Sequence, residues 1–108
     1  MRQPPKSYGI IYEYIDSEDG ESAYIGKSTD LWSHAHALKA VHRRHLVGTY
    51  PVPFDFVLRD NPSMFILHIL DRLVADTGAS LQEVLKPLEK DRIRSHNPKY
   101  NRVKFSVC

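Results

Sequence analysis

Residues Ala23–Leu31 read "AYIGKSTDL", and the two ends of this stretch invite incompatible folds. The tail, "GKST", has the look of a phosphate-binding loop, which belongs to a parallel α/β sheet. The front, "AYIG", is a short run of strand-forming residues with a tyrosine in it. A phosphate loop needs G-x-x-x-x-G-K-[ST]. Here five residues, "ESAYI", separate Gly20 from Gly26, and they are bulky and strand-like. A phosphate cradle is made from loop amides with few side chains in the way. The strand reading therefore holds, and Lys27 and Ser28 lie between a strand and the element after it.

Working outward, "YGIIYEYI" at Tyr8–Ile15 is rich in β-branched and aromatic residues and predicts a first strand. "DSEDGES" at Asp16–Ser22 is an acidic turn with Gly20 available for positive φ. The two strands form an antiparallel hairpin, since a parallel pair needs a long crossover. After Gly26 the period changes. Ser28 or Thr29 is expected to cap a helix whose apolar stripe is Leu31, Ala35, Leu38, Val41 and Leu46, ending near Gly48. "FDFVLRDN" at Phe54–Asn61 predicts a short helix stopped by Pro62, and "SMFILHIL" at Ser63–Leu70 a third strand, apolar on both faces and so central or covered. "SLQE" at Ser80–Glu83 predicts a capping box, and Pro87 a kink or a new helix start. The expected fold is α+β: a small three-stranded, mostly antiparallel sheet flanked by helices, in the order β-β-α-(α)-β-α, as one domain over residues 1–108.

The 42% hydrophobic and 26% charged content is that of an ordinary globule. The longest apolar run, Met64–Leu67, is far too short for a bilayer, so no membrane partner is expected. The N-terminal stretch lacks the apolar core of a secretory signal, and Cys108 is the only cysteine. An internal disulfide is impossible, which predicts a reducing compartment, cytoplasmic or nuclear.

"IIYEY" at Ile10–Tyr14 and "YIG" at Tyr24–Gly26 on paired strands, followed far downstream by "LEKDRIRSHNPKYN" with Glu89 and Asn101, make a joint pattern. It resembles the signature of the GIY-YIG nucleases and covers Tyr8 to Asn101, almost the whole chain. The resemblance implies a divalent-metal-dependent DNA endonuclease. Tyr12, Tyr24, His34 and Glu89 would be catalytic, and Glu89 would hold Mg²⁺ or Mn²⁺. Lys27, Arg43, Arg44 and Asn101 would serve substrate binding, with Asn101 pinning Glu89 or its loop. Two departures stand out. Ile11 replaces the glycine of the first half-motif, with Gly9 one position early. The family's helix arginine, ten positions after the second tyrosine, falls on His34. Arg43 and Arg44 lie more than two turns further on, which reads as too far to replace it.

That chemistry has physical requirements. Hydrolysis of a phosphodiester needs an activated water and compensation for growing charge. One carboxylate plus water and substrate oxygens suits Mg²⁺, which keeps most of its hydration shell. A phenol has a pKa of about 10, so Tyr12 needs a nearby cation to act as a base at neutral pH. Arginine binds phosphate in two-pronged fashion with a permanent charge; His34 offers neither. A site weakened by this change is one reading. A nucleic-acid-binding module that kept the fold and lost the activity is the second, and a protein-interaction domain the third.

The partners implied are DNA, branched or damaged forms included, and a second copy or a larger targeting protein, since so small a domain carries no separate targeting module. The net charge of +2 is too weak to argue nucleic acid alone, but Lys86, Lys90, Arg92, Arg94, Lys99, Arg102 and Lys104 gather in one stretch. The acidic turn Asp16–Glu21 is expected to face away from phosphate. Among the histidines, His42 and His45 share a helix face with no carboxylate at ligand spacing, which favours surface positions over a zinc site. Trp32 is a packing residue or a base-stacking platform.

Overall fold

The structure, a computed structural model, describes residues 7–29, 34–48 and 51–101. It contains β1 (Ser7–Asp16), β2 (Ser22–Thr29), α1 (His34–Val47), α2 (Pro53–Asp60), a 3-10 turn (Pro62–Met64), β3 (Phe65–Ala75) and α3 (Gly78–His96). The α+β class and the element order are as the sequence indicates. The sheet is antiparallel throughout, with strand order β2-β1-β3, so β1 takes the centre and β3, expected to be central or covered, takes an edge. The β1–β2 turn closes through Asp16 and Glu21, with Gly20 at φ 72° as the acidic segment requires.

Strand alternation splits β1 between two cores. Ile10, Tyr12 and Tyr14 pack toward α1 and α2 with Val41, Phe54 and Leu58. Ile11 faces the other way and joins Ile25, Leu81 and Leu85 of α3. Ile11, at the place of the expected motif glycine, is thus a fully buried core residue of the α3 side. Gly9 does the close-approach work instead: a Cβ there would meet Leu85 Cδ1 at 2.8 Å and Leu81 Cδ2 at 2.9 Å.

Several boundaries differ from expectation, each for a local reason. Ser28 and Thr29 extend β2, paired with Ile10 and Gly9, and do not cap a helix. β3 runs to Ala75 because its register against β1 slips between Ile11 and Tyr12, which lets pairing continue past Leu70. α3 starts at Gly78, capped by Thr77, whose side chain accepts from the Ser80 amide; the Ser80–Glu83 box is inside the helix. α3 runs unbroken through Pro87 and does not restart there. Pro87 lies on the solvent side, where the freed carbonyl one turn back meets water. Asn97 ends α3 in the left-handed region at φ 50°.

Beyond α3 the chain docks on β2. The Lys99 and Tyr100 amides donate to the Ser22 and Ala23 carbonyls, and the Asn101 side chain makes two hydrogen bonds to the Ile25 backbone, 2.7 Å and 2.8 Å. Asn101 therefore pins β2, and not Glu89 as the sequence suggested. No helix among the described residues is long and apolar enough to cross a membrane.

Candidate active site

A cavity of about 530 Å³ opens where β1, β2, the C-terminal end of α1, α2 and α3 meet. Tyr12, Tyr24, Lys27 and Glu89 all line it, together with Arg44, His45 and Asp55. The strands explain the tyrosines. Tyr12 pairs with Gly26 and Tyr14 with Tyr24, so Tyr12 and Tyr24 are diagonal neighbours, ring centroids 6.4 Å apart, and not directly opposed. Gly26 is what lets Tyr12 lie across β2: any Cβ at that position would overlap the phenol. Tyr24 stacks on Phe54 with ring centroids at 5.0 Å and planes 4° apart.

Behind Tyr12 stands a buried polar chain that the sequence did not suggest. Tyr12 Oη lies 2.6 Å from His45 Nε2, and His45 Nδ1 lies 2.5 Å from Asp55 Oδ1. Relative exposures are 2%, 6% and 4% for Tyr12, His45 and Asp55, so none of the three can exchange its partner freely with water. An ionised Asp55 only accepts, so His45 Nδ1–H donates to it. The neutral ring then offers Nε2 as an acceptor, and Tyr12 O–H donates. The other Asp55 oxygen accepts from the Val52 amide at 3.0 Å, capping α2. Arg59 of α2 donates to the carbonyls of His45 and Gly48, at 3.0 Å and 2.9 Å, and ties the two helices at the level of the site. A second phenol–imidazole pair joins Tyr14 Oη to His42 Nδ1 at 2.9 Å, and His42 borders a hollow with Leu38, Phe65 and Leu67.

The expectation of surface histidines is thereby overturned for His45. The signal was in the sequence. Ala37 and Val41 are buried, and His45 follows at the same four-residue step, so the inward face of α1 is Ala37–Val41–His45. The expected stripe through Leu38 and Leu46 lies to either side and is half-buried.

Arg44 is the second correction. It stands in the cavity wall and donates toward Ser28 Oγ at 3.4 Å, although its sequence distance had argued against it. The cavity lies at the C-terminal end of α1, so a residue late in the helix is the one that reaches it. Arg43 is exposed and does not line the cavity. His34 opens α1, at the helix's far end; its side chain, and Trp32, lie outside the described residues.

The electrostatics follow from burial. Burial pushes the Tyr12 phenol well above its ordinary value, Tyr24 pushes the same way, and Arg44 only partly offsets them. Tyr24 is pushed up to about 12, by burial first and then by Glu89 and Asp55. Burial holds His45 below the usual imidazole range, against the pull of Asp55. Burial raises Glu89, with Lys27 pulling it down. Glu89 is half-buried at the cavity and does not pair with Arg92, the basic residue three positions on. Arg92 pairs with Asp71 instead, through bonds of 2.8 Å and 3.0 Å.

No group of three or more histidine, cysteine or carboxylate side chains is arranged to hold a metal among the described residues. Asp55 is committed to His45 and Val52, which leaves Glu89 as the uncommitted carboxylate of the cavity among the described residues. A half-buried anion of this kind fits a cation that needs one protein ligand and brings its own water, as Mg²⁺ does. Of the basic stretch expected to face nucleic acid, Lys99 is taken up by the acidic turn: its Nζ is 3.1 Å from Asp16 and also pairs with Asp19.

Comparison of the chain with family models, with curated proteins and with solved structures gives no match.

Proposed function

We propose that this chain is a divalent-metal-dependent endonuclease that hydrolyses phosphodiester bonds in DNA, with Glu89 holding Mg²⁺ or Mn²⁺. The observation that carries the reading is the shared cavity. A phenol, a second phenol, a lysine, an arginine and one uncommitted carboxylate, drawn from β1, β2, α1 and α3, line a single hollow. Two cations stand beside Glu89, while the second carboxylate, Asp55, is bound to His45, and this arrangement suits a phosphate diester with one metal ion.

Each group has a role that its chemistry permits. Arg44 binds two phosphate oxygens with a permanent charge and stabilises the charge that grows as the new P–O bond forms. Lys27, also in the cavity lining, adds a second cation. Tyr24, wedged against Phe54, presents its hydroxyl to the phosphate or the attacking water. Tyr12 orients that water. A metal bound at Glu89 supplies Lewis-acid polarisation of a phosphate oxygen and offsets leaving-group charge. DNA is the polymer partner in this reading, with a second copy or a larger targeting protein setting where the site acts.

Supercoiled plasmid incubated with the purified chain and Mg²⁺ or Mn²⁺ tests the proposal. Nicking that stops on chelation supports it. No nicking with either metal, together with DNA binding that weakens steeply with salt, assigns the cavity to a binding module instead.

A further inference from the structure

We infer that Asp55 and His45 form the proton-accepting arm of this site, so that His45 is its base and Tyr12 the group through which the proton passes. The inference rests on the phosphodiester reading above and adds two residues that the sequence pattern does not supply. Its ground is geometric: three buried side chains joined in one line at 2.6 Å and 2.5 Å, all three in the lining of the cavity that also holds Arg44 and Lys27, with His45 Nε2 occupied by the Tyr12 hydroxyl and Nδ1 by Asp55. The arrangement has the logic of a nucleophile–imidazole–carboxylate triad, in which the carboxylate fixes the tautomer and stabilises the imidazolium.

A lone tyrosine is a poor base here. Burial raises its phenol, and the one nearby guanidinium does not reverse that. A stepwise tyrosinate is therefore disfavoured, whereas a proton that leaves the phenol as another arrives never exposes that charge. In the proposed step the water oxygen forms its bond to phosphorus and gives its proton to Tyr12 Oη. The phenolic proton moves to His45 Nε2. The imidazolium keeps its Nδ1–H on Asp55, and its charge is met by that carboxylate. The P–O bond to the leaving ester oxygen breaks, and that oxygen takes a proton from solvent. His45 then returns its proton through Tyr12 to water, which restores the resting state.

The pH dependence has a definite sign. His45 is faced by Asp55 of α2, by Tyr12 and Tyr14 of β1 and Tyr24 of β2, and by Arg44 and His42 of its own helix. Burial lowers its proton affinity first, Arg44 and His42 lower it further, and Asp55 opposes them. The ring thus stays neutral and able to accept below the usual imidazole range, about 6.5. The acid limb of activity is expected below that value. Removing Asp55 moves it lower still while costing rate.

The test uses the whole chain and two readouts. Ring nitrogen NMR of His45 is expected to show Nδ1 protonated and Nε2 bare through neutral pH, with the preference lost in Asp55→Asn. Cleavage of supercoiled DNA and of bis(p-nitrophenyl) phosphate, with Mg²⁺, is expected to fall about 100-fold in His45→Gln and in Asp55→Asn, as loss of a general base does. Tyr12→Phe, which keeps the ring packing, should fall as far. A ring protonated on Nε2 overturns the relay whatever the activity. So does a His45→Gln or Asp55→Asn variant that cuts within threefold of wild type while Tyr12→Phe is inactive; the nuclease reading then survives with Tyr12 acting alone. If the wild type cuts neither substrate, the nuclease reading fails, and the tautomer still decides whether the proton chain exists.

Discussion

The two faces of β1 carry the same kinds of group in opposite order. Toward α1 and α2, an imidazole stands in the middle: His45 between the Tyr12 phenol and the Asp55 carboxylate. Toward α3, a carboxylate stands in the middle: Glu13 Oε1 accepts from His68 Nε2 and Oε2 from His96 Nδ1, both at 2.7 Å. A central imidazole can receive at one nitrogen while donating at the other, so a proton has somewhere to go. A central carboxylate with a donor on each oxygen only accepts, so no proton passes from one side to the other. It binds β1 to β3 and to the end of α3, and nothing need move. Exposure agrees with the division of labour. The Tyr12–His45–Asp55 line lies in the cavity that holds Arg44, Lys27 and Glu89, whereas the Glu13 side chain is 3% exposed and its two histidines, 44% and 35% exposed, face outward, His96 toward a separate hollow with Ser22 and Lys99. Composition alone would not separate a site from a staple; the order of the groups does.

The sharpest way to break the comparison is to strip the cavity face of its permanent charge. Arg44→Ala is expected to lower cleavage about 100-fold or more, in the range for losing a fixed transition-state donor. Arg44→Lys should recover only part, since an ammonium lacks the two-pronged geometry. Steady-state nicking rates at matched DNA occupancy check this. An Arg44→Ala protein of wild-type rate would remove Arg44 from the site.

On the other face the expected damage is to stability. Glu13→Gln leaves an amide N–H against an imidazole N–H in a buried place, at about 2 kcal/mol, or roughly 10 °C in Tm for a domain this small. Cleavage per folded molecule, below the new Tm, should stay within threefold. Thermal melts and activity on the same sample decide it; a large loss of rate without a loss of Tm would put Glu13 in the chemistry.

A smaller effect comes from pH. Burial alone would raise Glu13, but the nearby Ser22 and then the His68 and His96 imidazoles together outweigh it and hold it below its ordinary range. Ser22 Oγ itself makes no hydrogen bond of good geometry. A carboxyl with a depressed folded pKa contributes stability above its unfolded value, about 4.3, and loses it as pH falls through the folded value. Urea melts from pH 6 down to pH 3 should therefore show wild type losing part of its advantage over Glu13→Gln in the acid range. Parallel curves would mean that Glu13 is not depressed.

The smallest effect is expected at His34. Arg44 already supplies a guanidinium to the cavity, so His34→Arg should change cleavage by less than threefold. A tenfold gain, measured with plasmid and Mg²⁺, would return the phosphate clamp to the start of α1.

Much of this was legible. The hairpin showed in strand alternation on either side of an acidic, glycine-containing turn, and Tyr12, Tyr24, Lys27 and Glu89 stood out by their joint order. What stayed hidden depended on register and on helix ends. Arg44 looked remote because distance was counted along the chain, while the cavity formed at the other end of α1. His45 hid in plain sight, since a histidine in an apolar stripe scores as polar until Ala37 and Val41 are seen to share its face. Asp55 gave no sign, because its partner lies ten residues back and across a helix–helix turn.

The most direct test of the central claim is paired measurement of plasmid nicking and DNA binding by wild type and Glu89→Gln, with Mg²⁺ and with chelator. The account predicts metal-dependent nicking by wild type. It predicts none by Glu89→Gln, whose DNA binding without metal should be equal or tighter, because a charge that repels phosphate is gone. Nicking by Glu89→Gln at the wild-type rate, or none by wild type with either Mg²⁺ or Mn²⁺, would contradict it.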